Sequence, residues 1–173
     1  MLRDAVVVTW AADLSDAELE RFWAEHGGHL LRAAVLLTGS REAGEDLLQA
    51  AMERVLAEWS AIEGDPEPHV RRAIYRLAAH GWRGGGGRHA SREQVRRANG
   101  GIRPGGGVEL VQLLLRLPPG QRAAIVLLYW EELAESEAGD VLGCSAGTVR
   151  SAAADGLRRL ERSYLRSSHL ALG

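Results

Sequence analysis

The stretch VLGCSAGTVRSAAADGLRRLE, residues 141–161, carries the local signals that decide the fold of this chain. Gly143 suits the left-handed residue that ends a helix, and Ser145 is an N-cap candidate three residues before Thr148. The spacing predicts a helix-turn-helix, and a plain helical hairpin with a glycine cap is the alternative. The second helix is predicted to bury one apolar stripe, made of Val149, Ala153, Gly156, Leu157 and Leu160.

The outer face of that second helix is the face that enters the major groove in a DNA-reading motif. It is predicted to carry Arg150, Ser151, Ala154, Asp155 and Arg158. Asp155 faces phosphates poorly, and its spacing allows an ion pair with Arg158 or Arg159 along the helix. The sequence therefore predicts the shape of a DNA reader with reduced contact chemistry.

The rest of the chain also shows helical periodicity, so the predicted fold class is all-α. Ser15 and Glu18 form a possible capping box for a first helix. A second helix is predicted to begin near Ser40 and a third at Asp65-Pro66. Towards the C-terminus, Pro119 fits the first turn of another helix, and a final helix pair is predicted at residues 131–142 and 145–165.

Residues 84–107 interrupt this pattern with nine glycines and no core periodicity. They predict a flexible basic linker between two small helical domains. The predicted organisation is an N-terminal extension, a helical domain, a Gly/Arg-rich linker, a second helical domain with the helix-turn-helix, and a tail. The respective boundaries are 1–14, 15–83, 84–107, 108–166 and 167–173.

The charge of the chain is distributed unevenly, although its net charge is only −2. All 21 basic residues are arginine. Residues 1–68 hold five arginines and fourteen acids, whereas residues 69–107 hold nine arginines and one acid. A basic block beside an acidic one predicts one segment that faces a polyanion and one surface that avoids nucleic acid.

Several classes of protein are disfavoured by the sequence. Cys144 is the single cysteine, which excludes intramolecular disulfides and cysteine-rich metal sites. No apolar run approaches 18 residues and acids flank the short apolar N-terminal stretch, so we expect neither a membrane span nor a signal peptide, and a cytoplasmic location. His26 and His29 beside Glu25 make only a weak metal site. Because no nucleophile, base and orienting group can be assembled, neither an enzyme nor a cofactor is predicted.

Three stretches of the chain resemble extracytoplasmic-function sigma factors of the sigma-70 family. Residues 117–151, LPPGQRAAIVLLYWEELAESEAGDVLGCSAGTVRS, resemble region 4 of that family. Residues 36–59, LLTGSREAGEDLLQAAMERVLAEW, resemble region 2, and residues 68–83, PHVRRAIYRLAAHGWR, resemble the arginine-rich helix that follows it. The resemblance covers nearly the whole chain, in the order of the family and with a linker between the two regions.

The resemblance implies a bacterial transcription initiation subunit whose partners are core RNA polymerase, promoter DNA and an anti-sigma factor or other regulator. Region 2 would dock on the β′ clamp helices, and region 4 would meet the β flap. The implied polymerase-binding residues are Glu45, Asp46, Leu48, Gln49 and Met52. The implied −10 residues are Arg71, Arg72, Arg76, His80, Trp82 and Arg83. The implied −35 residues are Ser145, Thr148, Arg150, Ser151 and Arg158.

Each of these assignments has an ordinary structural alternative. Trp82 beside Arg83 offers a stacking surface next to a phosphate ligand, but a tryptophan that closes a helical core fits equally well. Arginines 71 and 72 fit a solvated helix face as well as a nucleic-acid surface. Glu45 and Asp46, without the resemblance, fit a soluble helix face.

The chain also departs from the family pattern at three places. Gly84–Gly87 stand where family members carry a dense basic run, and Ala152–Asp155 stand where they place polar or basic side chains. Gly44 and Ala51 replace a common alanine and glutamate in the docking helix. Two hypotheses follow: a working sigma factor, or a sigma-like interaction protein that binds polymerase or a regulator and recognises promoters poorly.

Overall fold

The computed structural model describes residues 16–79 and 106–170, and for residues 16, 106–109 and 164–170 it describes the backbone alone. The described part contains seven α-helices and no strand, as predicted for an all-α fold. The seven helices, in order, are α1 (Asp16–Thr38), α2 (Arg41–Leu56), α3 (Glu67–Ala78), α4 (Gly106–Leu115), α5 (Pro119–Tyr129), α6 (Glu135–Leu142) and α7 (Ala146–Leu170). The predicted linker, except its last two residues, lies outside the described residues, as do Ser15 and the N-terminal extension.

The N-terminal half is built from α1, α2 and α3, which pack on one another. Gly39 ends α1 with a φ of 98°, and Ser40 caps α2 by accepting a hydrogen bond from the backbone N–H of Ala43 at 3.2 Å. Asp65 accepts a hydrogen bond from the N–H of Glu67 at 2.9 Å and so satisfies a free donor at the start of α3. Both predicted helix starts, near Ser40 and at Asp65-Pro66, are confirmed.

The C-terminal half packs α5, α6 and α7 together, with α4 before them. Pro119 begins α5, where its missing N–H costs nothing. Gly143 follows α6 in the left-handed conformation, with φ 69° and ψ 44°. Ser145 Oγ accepts a hydrogen bond from the N–H of Thr148 at 3.2 Å at the start of α7. The predicted helix–turn–helix geometry is therefore present, and α7 extends to Leu170, into the predicted tail.

The segment between α5 and α6 differs from the prediction, because residues 131–134 are not helical. Glu132 has a φ of 54°, a left-handed conformation that a helix cannot contain. Helix α6 begins only at Glu135, and the Glu137 carboxylate accepts a hydrogen bond from the N–H of Ala134 at 2.8 Å. This side-chain cap marks the start of α6, four residues later than the periodicity predicted.

Replacing Glu132 with glycine is expected to stabilise the protein by about 0.5–1 kcal/mol, because a Cβ in the left-handed region is sterically disfavoured. Glu132→Ala is the matched control, since it removes the same carboxylate but keeps the Cβ. Urea denaturation at 25 °C measures both variants. A glycine variant no more stable than the alanine variant would show that this turn stores no strain.

The buried face of α7 also differs from the prediction at one residue. Leu157 is 41% exposed, and Ala152 takes its place in the core with Val149 and Ala153. At 3.6 residues per turn, Ala152 lies three residues after Val149 and follows the stripe, whereas Leu157 falls about 80° away from Val149. The core stripe therefore follows the helical period at that point rather than the size of the side chain.

The two halves share one continuous hydrophobic core. The sequence, with a linker predicted between them, did not specify whether the halves pack together. Helix α1 packs on α4 and α5, and α3 packs on α5 and α6. The Leu115 side chain of α4 packs against Gly39, and a Cβ on Gly39 would overlap that side chain. The Arg122 guanidinium donates to the carbonyl of Leu37 across the same boundary. The N-terminal and C-terminal halves are therefore docked on each other.

Candidate polymerase and nucleic-acid interfaces

The acidic face of α2 contains the residues predicted to dock on polymerase. Asp46 and Gln49 are exposed, while Glu45 pairs with Arg41 at 2.7 Å and Gln49 donates to Glu53 at 3.2 Å. Leu48 and Met52 lie in the core, 4% and 1% exposed. Leu48 and Met52 therefore pack α2 against the core, and the face of α2 open to a partner carries the acidic and amide side chains.

The two departures in this helix have a packing reason. A Cβ on Gly44 would lie 3.1 Å from the backbone N and 3.3 Å from the Cα of Val35, so the glycine allows α1 and α2 to cross closely. Ala51 is fully buried in the core, where a glutamate would lose its hydration without a partner. From the sequence, Gly44 and Ala51 are departures from the family pattern in the docking helix. The structure instead places both at the contact between helices.

The basic helix α3 holds three of the six predicted −10 residues, and His80, Trp82 and Arg83 lie outside the described residues. Arg72 is exposed. Arg71 donates to the Glu67 carboxylate one turn earlier, and Arg76 donates to the backbone carbonyls of Val141 and Asp140 at 3.0 and 3.3 Å. Two of the three described −10 candidates are thus engaged inside the protein.

The pKa values of two side chains on α3 reflect these internal contacts. Burial alone would lower the pKa of Arg71, but the hydrogen bond and charge of Glu67, with the charge of Glu131, raise it overall. Burial and the neighbouring Glu131 carboxylate raise the pKa of Tyr75 far above its usual range. Tyr75 therefore stays protonated and donates its hydroxyl to Glu131 Oε1 at 2.9 Å.

The recognition face of α7 presents the predicted −35 residues. Arg150, Ser151 and Arg158 are exposed, as are Ser145 and Thr148 at its N-terminus, whose hydroxyls lie 2.8 Å apart. Backbone N–H groups and the helix dipole make such an N-terminus favourable for a phosphate.

The exposed arginines of this face carry internal partners. Arg150 Nε lies 2.8 and 2.9 Å from the two oxygens of Glu135, an acid on α6, although Arg150 is 70% exposed. The hydrogen bond from Arg150 lowers the pKa of Glu135, so this carboxylate is ionised at neutral pH. Arg158 pairs with Asp155, as the i+3 spacing predicted. Any anion that binds these two arginines has to share them with the two carboxylates or displace the carboxylates.

The departure at Ala152–Asp155 affects fewer exposed positions than the sequence implied. Ala152 and Ala153 face the core, so neither could carry a DNA contact. Only Ala154 and Asp155 of the four are partly exposed. The departure from the family pattern is confined to those two positions, and the arginine on either side remains on the surface.

The contacts made by four residues were not predicted from the sequence: those of His29, Tyr75, Arg122 and Glu131. Tyr75 and Arg122 lie on buried helix faces among apolar residues, where one polar group does not alter the helical periodicity. Burial lowers the pKa of Arg122 to about 10, so the guanidinium remains charged at neutral pH. Among the described residues no three His, Cys, Asp or Glu side chains are grouped to hold a metal, and no helix there is long and apolar enough to cross a membrane.

Comparison with known proteins agrees with this geometry. The family described as Sigma-70, region 4 matches residues 107–160. The RNA polymerase sigma-E factor of Streptomyces coelicolor is 30% identical over 153 residues, covering 86% of each chain. The sigma-E factor of Streptomyces avermitilis is 30% identical over 166 residues, covering 88% of each.

Two solved structures share the fold. The sigma factor RpoE in complex with the anti-sigma factor NepR, from Bartonella quintana, superposes with a TM-score of 0.61 at 20% identity, covering 84% of this chain and 95% of that one. The anti-anti-sigma factor PhyR complexed with NepR, from the same organism, gives 0.53 at 21% identity, over 84% and 50%. Fold alone thus does not separate a sigma factor from a sigma-like regulator, whereas the sequence identity to the Streptomyces sigma-E factors favours a sigma factor. The chain belongs to the extracytoplasmic-function group of the sigma-70 family of RNA polymerase sigma factors.

Proposed function

We propose that this sigma factor docks on core RNA polymerase through the acidic face of α2 and reads promoters with α3 and α7. Docking uses Glu45, Asp46 and Gln49, with Leu48 and Met52 holding the helix from the core side. Region 4 meets the β flap. The −10 surface consists of Arg71, Arg72, Arg76, His80, Trp82 and Arg83, and the −35 surface of Ser145, Thr148, Arg150, Ser151 and Arg158.

The observation that carries this proposal is the exposed face of α7. The left-handed Gly143 and the Ser145 cap set the angle of a 25-residue helix whose outer face places Arg150 and Arg158 in solvent. Arginine is the side chain that most often makes bidentate contacts to guanine in the major groove. A plain helical hairpin would need no arginine on that face.

The partners of the chain follow from the same family membership. Promoter DNA and core polymerase are the proposed ligands, and the protein itself carries out no catalysis and works in the cytoplasm with polymerase. An anti-sigma factor is a further proposed partner, because the sigma factor of similar fold was solved in complex with one. The sigma-like regulator remains the second hypothesis, which the alignment with the sigma-E factors disfavours.

Replacing Arg150 with alanine is expected to weaken promoter binding by the polymerase complex about tenfold or more, since one bidentate base contact contributes about 1–3 kcal/mol. Arg159→Ala is the matched control, because Arg159 is exposed nine residues later, half a turn around the helix from Arg150. The measurement is the binding and melting of genomic DNA fragments by reconstituted polymerase.

The same assay separates the two hypotheses. Selective melting at a shared two-box motif, lost in Arg150→Ala and kept in Arg159→Ala, would support a working sigma factor. Tight core binding with no selective melting by the unaltered chain would overturn promoter recognition and leave the regulator. Asp46→Arg should abolish core binding in either case, because it reverses the charge of the docking face.

A further inference from the structure

An ion pair joins the two helices of the helix-turn-helix. Glu135 is the first residue of α6, and Arg150 lies in the second turn of α7. Arg150 Nε lies 2.8 and 2.9 Å from the two carboxylate oxygens of Glu135, and Arg150 Nη2 also donates to Oε2. The hydrogen bond from Arg150 holds the pKa of Glu135 below its usual range, so the carboxylate is a charged acceptor at neutral pH.

The Glu135 carboxylate occupies one edge of the guanidinium and leaves the other edge open. The five N–H groups of an arginine lie in one plane. Nε and one N–H of Nη2 form the side edge, whereas Nη1 and the second N–H of Nη2 form the tip. Glu135 binds the side edge. The N–H groups of the tip have no partner within the described part of the chain, and the side chain is 70% exposed. The tip of Arg150 is therefore the part that a molecule outside the chain can bind.

The backbone that carries Glu135 is held in place relative to α7. Directly before it, the N–H of Ala134 donates to the Glu137 carboxylate at 2.8 Å. One turn later, Gly139 packs against the backbone between the two helices, where a Cβ would lie 2.7 Å from the carbonyl oxygen of Cys144. The carboxylate thus belongs to a helix that is packed closely on the turn leading into α7.

A side edge held in this way affects how an arginine binds DNA. A bidentate contact to guanine needs two N–H groups of one guanidinium to point at the same base. An arginine without a partner has many rotamers, and ordering such a side chain at the moment of binding weakens the contact several-fold. Because Glu135 holds the side edge of Arg150, much of that ordering is complete before DNA arrives, and the tip still has two nitrogens for a base.

Arg158, the other arginine of the proposed −35 surface, is paired differently. Its Nη2 donates to Asp155, which lies three residues earlier on the same helix. Nη2 belongs to the tip as well as to the side edge, and an exposed pair of this kind within one helix is weak. Of the two arginines, Arg150 alone is held through Nε by a carboxylate on another helix, as far as the described residues show.

We propose that Glu135 is a positioning residue for promoter recognition, which holds the side edge of Arg150 so that its tip reads a base pair of the −35 element. This inference rests on the proposed −35 role of Arg150. A mobile arginine binds any phosphate of the duplex, and such contacts carry no sequence information. Fixing the guanidinium against a carboxylate therefore favours the base contact over sequence-independent attraction. Glu135 acts through Arg150 and not on the DNA itself.

The test uses full-length variants assembled with core polymerase. The variants are Glu135→Gln, Arg150→Ala and the double variant of both. Glu137→Gln is the matched control, because it removes the same charge from the same turn of α6, while Glu137 contacts the N–H of Ala134 instead of an arginine. The probes are a duplex that the unaltered complex selects from genomic fragments, the same duplex with each base pair of its upstream box replaced in turn, and an unrelated duplex of equal length.

Arg150→Ala identifies the base pair that Arg150 reads, since replacing that pair no longer changes the affinity of the variant. At this base pair we expect Glu135→Gln to lower the discrimination about threefold to tenfold, because the tip then has to be ordered during binding. Its affinity for the unrelated duplex should stay the same or rise, since the loss of a carboxylate does not weaken attraction to phosphates. Glu137→Gln should keep the discrimination. In the Arg150→Ala background, Glu135→Gln should add nothing, because the two residues act through one contact.

Three results would overturn the positioning role and leave Arg150 as a reader. The first is full discrimination by Glu135→Gln at the base pair that Arg150 reads. The second is an equal loss of affinity for the selected and the unrelated duplex, which would mean that Glu135 only stabilises the motif. The third is an effect of Glu135→Gln that persists without Arg150. If the unaltered complex selects no duplex, or Arg150→Ala changes the discrimination at no base pair, the proposed −35 function fails instead, and the inference with it.

Discussion

Replacing Arg122 with methionine is expected to lower the free energy of unfolding by about 3–5 kcal/mol. The buried guanidinium pairs with no carboxylate of the described residues. It donates to the carbonyls of Leu114, Leu117 and Leu115 at 3.0, 3.0 and 3.4 Å, and to that of Leu37. Methionine fills much of the space and leaves those carbonyls without this donor. A domain of this kind has a stability of only about 5–15 kcal/mol, so the loss is a large fraction of the total.

Urea denaturation at 25 °C provides the measurement, with Arg116→Met as the control, because Arg116 is an exposed arginine six residues earlier. The control should change stability by less than about 0.5 kcal/mol. Arg122→Lys should fall between the two, since an ammonium keeps the charge but lacks the planar fork that reaches several carbonyls. A loss below about 1 kcal/mol for Arg122→Met would mean that water or a shifted backbone satisfies the carbonyls equally well.

The second large effect is expected for Gly139→Ala, which should destabilise the helix-turn-helix by about 1–2 kcal/mol. A Cβ on Gly139 would lie 2.7 Å from the carbonyl oxygen of Cys144 and 3.4 Å from the backbone N of Ala146. Those are backbone atoms of the turn, which cannot rotate away as a side chain could, and overpacking of this kind costs about 1–3 kcal/mol. The gain in helix propensity from glycine to alanine offsets up to about 1 kcal/mol of it.

Gly147→Ala is the matched control within the same motif. Its Cβ would meet only Ser145 Oγ at 3.9 Å, so the substitution should be neutral or stabilising. Because Gly139→Ala also forces the turn open and changes the angle of α7, its polymerase complex should bind −35 DNA at least tenfold more weakly than the Gly147→Ala complex. Equal stability and DNA affinity of the two variants would show that the turn tolerates the extra methyl group.

Local signals explain why much of the fold was predictable. The end of α6 and the start of α7 depend on two residues that are close in sequence, a left-handed Gly143 and a capping Ser145. A short window of sequence is therefore enough to predict both helix ends. Pro119 and the Asp65-Pro66 pair act in the same local way. The start of α6 was wrong because Glu132, and not a glycine or proline, adopts the helix-breaking conformation.

The contact between the halves was not predictable from periodicity. Arg76 and Arg122 bind backbone carbonyls, which every residue possesses, so the sequence contains no complementary partner to recognise. Glu131 pairs with residues 56 and 102 positions away. The predicted binding residues remain predictions, because the function of an exposed side chain depends on a molecule outside the chain.

The shared interface has a consequence for the exchange of modules between sigma factors. Transplanting region 4 from a relative would preserve the helices of each half, yet the Glu131 carboxylate and its hydrogen-bonding partners on α1 and α3 would come from different proteins. Such a chimera would keep both helical halves intact but could lose the polar contacts between them. A successful swap therefore has to supply a glutamate at position 131 wherever His29 and Tyr75 are kept in the other half.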